Sequence, residues 1–236
     1  VILGERLTQG IVLVKDGYQA DLAGMQVFTA GHPVPDERGV RAAGQIMDLL
    51  VNAGEGDLVL FLISGGGSAL LTSPAPGLSL EDLQRLTALL LRCGASINEI
   101  NTLRKHLEQA KAGNLARLAY PARTATLVLS DVIGNPLDVI ASGPTCPDPT
   151  TYQDAWDVLS RYKLLPEAPP AVLQRLERGI RGVLPETPKP GDPFFASAHY
   201  QVVGDNYQAA QAALQAAQQA GLNPLLLTTS LQGEAS

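Results

Sequence analysis

Cysteine is almost missing from this chain, and the two present form no pattern. Cys93 and Cys146 lie far apart, with no histidine at metal-ligand spacing. That excludes a disulfide framework and a zinc site, and leaves both as small buried or turn residues. Positive charge is also scarce: 17 Lys and Arg face 23 Asp and Glu, for a net charge of −6. Without a basic patch, nucleic acid is not an expected partner. No apolar run reaches the ~18 residues of a membrane span, and no signal-peptide pattern opens the chain. Three catalytic signatures are absent as well. No Gly-Lys-Ser/Thr closes a Walker A loop, no closing glycine completes a G-x-S-x-G elbow, and no G-x-G-x-x-G follows a strand. These absences predict a soluble, cytoplasmic protein. Its 236 residues, 45% of them hydrophobic, can bury a substantial core.

What is present centres on Ser64-Gly65-Gly66-Gly67-Ser68. It follows Asp57-Leu58-Val59-Leu60-Phe61-Leu62-Ile63, an apolar run that reads as a strand buried on both faces of a parallel sheet. Three glycines at its carboxyl end allow positive φ and close approach of a ligand. A row of backbone N–H groups, flanked by serine hydroxyl donors, suits a phosphate or carboxylate. Open α/β sheets bind ligands beyond the carboxyl ends of their strands.

Further strand-like runs fall at 11–15, 25–30, 125–130, 200–204 and 224–229, and helical patterns separate most of them. Asp36 caps a helix to Ala53, Ser79 with Asp82 forms a capping box opening one to Cys93, and another runs from Ile97 through Ala112. Thr150 or Thr151 caps the next, and Asn206 starts an Ala/Gln-rich helix ending at Gly221. Alternating strands and helices predict an α/β fold: a Rossmann-like, mostly parallel sheet with helices on both faces. The proline-punctuated stretch 163–193, with a short helical piece near Ala171–Gly179, reads as a surface excursion between two strands: a lid, a hinge or a plain connection.

Thr124 to Asp131 is a second buried strand ending in a polar pair, so Asp131 sits at a carboxyl edge, where it could bind Mg²⁺ or orient a hydroxyl. The alternative is a helix cap or a turn carboxylate. Ser142 and Thr145 lie in a rigid Gly-Pro turn that could offer a hydroxyl to phosphate. Asn98, Asn101 and Lys105 share one helix face, and Arg104, Glu108 and Lys111 the next. The bland reading of these is a solvated surface; the functional one points Asn101, Arg104 or Lys105 at an anion. His32, in a two-proline turn at a strand end, is a ligand contact or a sheet-edge cap. His106 has no partner at telling spacing.

Five segments together resemble one family. They are Gly31 to Glu37, Phe61 to Leu71, Asn101 to Leu107, Leu129 to Gly134, and Ala141 to Thr145. In order and spacing they look like the type II glycerate kinases. These are glycerate 2-kinases with a C-terminal MOFRL domain, some of which carry a provisional hydroxypyruvate reductase label. The resemblance implies phosphorylation of D-glycerate to 2-phosphoglycerate by ATP with Mg²⁺, in a cleft between two domains. It implies that Ser64, Gly65, Gly66, Gly67 and Ser68 hold carboxylate or phosphate, with His32, Asn101, Ser142 and Thr145 also binding. Asp131 would serve the acceptor hydroxyl or the metal, and Arg104 or Lys105 would supply positive charge. The expected partners are small molecules, with a homodimer left open. Residues 1–236 would be most of the N-terminal domain. On that likeness, a lysine-bearing segment thought to be catalytic precedes Val1 and the MOFRL domain follows Ser236. The sheet is then incomplete at both ends, and the polypeptide alone is expected to turn over little. The rival functions are an NAD(P)H-dependent hydroxypyruvate reductase and a non-catalytic sugar-phosphate or nucleotide sensor.

Overall fold

The structure is a computed structural model that describes residues 3–231. Residues 1–2 and 232–236 lie outside the described residues. Among the described residues no helix is long and apolar enough to cross a membrane.

Among the described residues five strands form, and their pairings with one another are all parallel. They make two sheets rather than one. β1 (Ile11–Lys15) pairs with β2 (Gln26–Ala30), while β3 (Leu58–Ile63), β4 (Arg123–Leu129) and β5 (Ala198–Gly204) form a second sheet with β4 in the middle. The expected strand over 224–229 does not form: Leu225 and Leu227 are exposed, and among the described residues no neighbour pairs with them. An apolar run becomes a strand only where an edge can take its backbone groups.

The helices start where their caps dictate. The Asp36 carboxylate accepts from the Arg38 and Gly39 N–H groups at the head of α1 (Glu37–Val51). Beyond β3 come α2 (Gly67–Leu70), α3 (Leu80–Arg92), α4 (Ile97–Leu107) and α5 (Asn114–Ala119). After β4 come α6 (Tyr152–Arg161) and α7 (Pro170–Ile180), and α8 (Asn206–Gln219) follows β5. Capping boxes Ser79/Asp82, Ser96/Glu99 and Thr151/Asp154 open α3, α4 and α6. Each satisfies two otherwise orphaned donors.

Two apolar clusters result. One belongs to α3, α4, α6 and α7 and includes Leu90, Leu103, Leu159, Val172 and Leu176. The other joins Leu50 of α1 and Leu115 of α5 to Phe61 of β3. The proline-rich stretch is therefore more than a surface excursion, because its helix α7 supplies fully buried Val172 and Leu176. Pro170 occupies the first helical position, where the missing N–H costs nothing, so here proline starts a helix.

The helix expected to reach Ala112 stops at Leu107. There the backbone is captured by residues 73–75: Ala75 N–H donates to the Leu107 carbonyl and Gln109 N–H to Ser73. The chain then bends through Ala112 and Gly113, both with positive φ. Their N–H groups donate to the carbonyls of Ser142 and Gly143.

Candidate functional site

Strands β3 and β4 run side by side in register from Leu58↔Arg123 to Ile63↔Val128, so both deliver their carboxyl ends to one rim. The glycine bend leaves β3 there, and Asp131 leaves β4. They touch: a Cβ on Gly65 would stand 2.6 Å from Asp131 Oδ2. Gly66 has φ +82, and its own Cβ would lie 3.1 Å from His32 Nε2 at the end of β2. On the far side, a Cβ on Gly67 would meet Ala141 Cβ at 3.1 Å. Each glycine thus has its own reason to lack a side chain. Two admit the carboxylate and the 140–143 turn, and Gly66 needs the left-handed backbone.

The bend leaves its donors open. Among the described residues, the N–H groups of Ser64, Gly65 and Gly66 reach no acceptor. Gly67 and Ser68 begin α2, where no carbonyl lies one turn earlier to accept from them. The Asp131 carboxylate faces this row without an ion pair or hydrogen bond among the described residues; only its backbone carbonyl is engaged, by Asn206 Nδ2 at 3.3 Å. Ser64, Gly65, Gly66, His32 and Asp131 are all exposed. The rim therefore presents unpaired donors beside an unpaired carboxylate.

Beneath the rim the polar groups are paired and enclosed. Ser142, fully buried, donates to Asn101 Oδ1 at 2.9 Å and lies 2.8 Å from Ser68 Oγ. An amide oxygen can only accept, so the single Ser142 proton goes to Asn101, and Ser68 donates to Ser142. The Ser68 hydroxyl proton is spent inward rather than offered to a ligand. Thr145 is also fully buried. Its hydroxyl accepts from Thr126 at 3.1 Å and its carbonyl from the Tyr200 hydroxyl at 2.5 Å. The structure thus makes Asn101, Ser142 and Thr145 supports of the turn behind the bend, not open ligand contacts. Ala141, Ser142 and Gly143 are consecutive left-handed residues, with φ of 52, 61 and 60. Such strain persists where surrounding contacts over-determine it.

Lys105 departs from its expected role. It is buried, and its Nζ lies 3.2 Å from both Asp138 Oδ2 and Asp148 Oδ1, so its charge is spent in ion pairs. The helix face expected to be solvated turns inward instead. Arg104 makes no hydrogen bond among the described residues. It lines a cavity of about 20 Å³ together with Ser68, Thr72, Leu103 and Glu108. Burial pulls its guanidinium below the ordinary arginine value, against the pull of Glu108.

His106 is fully enclosed next to Lys105. Its Nδ1–H donates to the Thr102 carbonyl at 2.8 Å. Nε2 has no aligned partner, but lies 3.4 Å from Glu186 Oε2 and 3.9 Å from Asp148 Oδ2. Sequence spacing could not show this, because Glu186 arrives from the proline-rich stretch 80 positions later. Lys111 was also missed and is fully buried below the bend. Gly113 is the one local hint of a turn there; the positive φ of Ala112 and Gly113 that turns the chain inward shows only in the structure.

Comparison with known proteins places this geometry in context. A family described as "Domain of unknown function (DUF4147)" matches residues 2–177. Glycerate 2-kinase of Pyrococcus horikoshii is 42% identical over 226 residues, which are 96% of this chain and 50% of that protein. An Agrobacterium vitis relative with a provisional hydroxypyruvate reductase label is 44% identical over 227 residues, 96% of this chain and 49% of the relative. The crystal structure of glycerate kinase from Thermotoga maritima superposes with a TM-score of 0.85 at 41% identity. It covers 98% of this chain and 53% of the other. The chain thus spans about half the length of the curated relatives it matches. The sequence resemblance to glycerate kinases is borne out in these names, and the α/β fold in the superposition.

Proposed function

The chain belongs to the DUF4147 family, and from that premise we propose that it contributes one wall of a glycerate kinase site, phosphorylating D-glycerate with ATP. The observation that carries this reading is the contact of Asp131 with Gly65 at a shared strand rim, beside a row of unpaired N–H groups. The glycerate kinase names of relatives at about 40% identity support it.

Phosphoryl transfer demands positioning and charge neutralisation more than covalent help. The bend's free N–H groups would bind the glycerate carboxylate or a phosphate of ATP, and Arg104 would add positive charge from the cavity beside Ser68. Among the described residues no cluster of three or more ligating side chains exists. Mg²⁺ carried by ATP needs no such cage, since phosphate and water supply most of its ligands. One free carboxylate fits that requirement; Asp131 would hold the ion, which supplies neutralisation of the phosphate charge. The second Asp131 oxygen would accept the hydrogen bond of the acceptor hydroxyl. As the new O–P bond forms and the bond to ADP breaks, the hydroxyl proton would leave to this carboxylate and then to solvent. Alignment of this kind can account for roughly 7–11 kcal/mol of a barrier.

The test is ADP release by the intact protein with D-glycerate, ATP and Mg²⁺. Coupling to an enolase then reports whether the product carries phosphate on the 2-position. NADH oxidation with hydroxypyruvate, in place of ADP release, overturns the kinase reading in favour of the reductase. The rim lacks the G-x-G-x-x-G spacing that a reductase of that kind uses.

A further inference from the structure

Lys111 is a fully buried lysine that the chemistry above does not use. Its Nζ donates to the carbonyl of Ser68 at 2.7 Å and to that of Leu71 at 2.9 Å. Its third neighbour is Glu108 Oε2 at 3.6 Å, and the same Glu108 oxygen accepts from Ser73 N–H at 3.3 Å. Thus one ammonium clamps both ends of the helical turn that follows the glycine bend. A buried ion pair is an expensive clamp: apolar replacements of similar volume are often as stable or more so. Burial pushes the Glu108 carboxyl up and the Lys111 ammonium down, each restrained by the opposite charge of the other.

The rest of the support explains what the clamp fixes. Ser68 is gripped at its hydroxyl by Ser142 and at its carbonyl by Lys111. The residues next to Lys111, Ala112 and Gly113, bind the carbonyls of Ser142 and Gly143. Segment 108–113 therefore holds the glycine bend and the strained turn behind it at once. Ser68, held at its hydroxyl and its carbonyl, anchors the carboxyl side of the bend that carries those N–H groups.

We propose that Lys111 is a positioning residue for the glycine bend: its buried ammonium sets the direction of the Gly65–Ser68 N–H groups, and so the affinity of the rim for carboxylate or phosphate. The effect on turnover rests on the kinase reading; the effect on the bend does not.

The test compares wild type, Lys111→Met, and Lys111→Met combined with Glu108→Gln, all in the intact protein. Lys111→Met alone strands a buried carboxylate and lowers the thermal midpoint. The double variant removes both charges at nearly constant volume, so its midpoint returns towards that of wild type. Even so, amide exchange at Ala69 and Leu71 is expected to quicken at least tenfold, with α6 and α7 unchanged. The KM for D-glycerate or ATP is expected to rise at least tenfold, with a smaller change in kcat. A double variant with wild-type exchange and wild-type KM overturns the proposal and makes the pair merely structural. If wild type releases no ADP, the kinase reading fails, while the exchange data still decide the role of Lys111. Should the methionine form not fold, Lys111→Gln with Glu108→Gln reads the same quantities.

Discussion

The helical half of the molecule and the strand rim solve opposite problems. The cluster that α3, α4, α6 and α7 share buries apolar and aromatic side chains on regular backbone, three capping boxes of one design close the heads of α3, α4 and α6, and only the other face of α4 carries buried polar groups. Behind the rim the buried residues include Asn101, Lys105, His106, Glu108, Lys111, Ser142, Thr145 and Asp148, and the backbone turns left-handed at Ala112, Ala141 and Ser142. Burying polar groups is costly unless every partner is in place. A fold that needed only stability would not concentrate them in one corner. The difference separates a scaffold from the region it orients.

The strongest way to break that comparison is to alter the rim without touching the scaffold. Asp131→Asn keeps the volume of an exposed side chain whose carboxylate has no protein partner among the described residues. Turnover of the intact protein is expected to fall on the order of 10³-fold, about 4 kcal/mol in the barrier. The thermal midpoint should not move. Retained turnover would remove Asp131 from the chemistry.

The converse change strikes the scaffold alone. Leu159→Ala empties part of a fully buried position in the α3–α7 cluster. Denaturant unfolding should show a loss of about 3 kcal/mol. KM should remain at the wild-type value in the folded fraction. A change in KM would mean that the two regions are mechanically coupled.

Ser142→Ala sharpens the contrast because it acts on both. It deletes the hydroxyl between Ser68 and Asn101 and leaves the left-handed backbone strain in place. A stability loss of about 2 kcal/mol is expected, since Asn101 Oδ1 is left buried without its donor. Unlike Leu159→Ala, it should also raise KM. Equal KM in the two variants would show that the serine is only structural.

These two regions also differ in how much the sequence disclosed. The caps at Ser79 and Thr151 act within four residues, and the leucines behind them recur at helical spacing, so local pattern sufficed. The bend at Ser64–Ser68 and Asp131 were legible for a similar reason: each directly follows an apolar strand, and parallel neighbours end on one rim. The support behind them was not. Ser68 meets Ser142 across 74 positions and Lys111 across 43, and no local period encodes such pairs. The helix expected to continue to Ala112 ended because residues 73–75 took its backbone groups. That tertiary contact turned Lys111 from a surface residue into a buried one.

The smallest expected effect lies on the seam between the two regions. Glu186 accepts the Tyr152 N–H at 2.9 Å, at the head of α6, and faces His106 of α4 at 3.4 Å and Lys189 at 3.3 Å. Burial acts to raise its carboxyl, but the contact with His106, the Tyr152 N–H and the Lys189 charge outweigh it and hold it down to about 2. Asp148 is shifted the same way, with burial outweighed by the charge of Lys105 and the Thr150 hydrogen bonds. Carboxyls held low in the folded state favour folding above their unfolded value of about 4.3 for Glu or 3.9 for Asp. That contribution fades as pH falls from there towards 2, because the unfolded chain takes up protons first. The thermal midpoint of wild type should therefore decline across pH 4.5 to 2, and Glu186→Gln should decline less steeply over the same window. Only a modest change is expected, because the side chain is 37% exposed and solvent screens part of the interaction. Identical slopes below pH 4.5 would show that Glu186 does not tie the helices to the buried charges behind the rim.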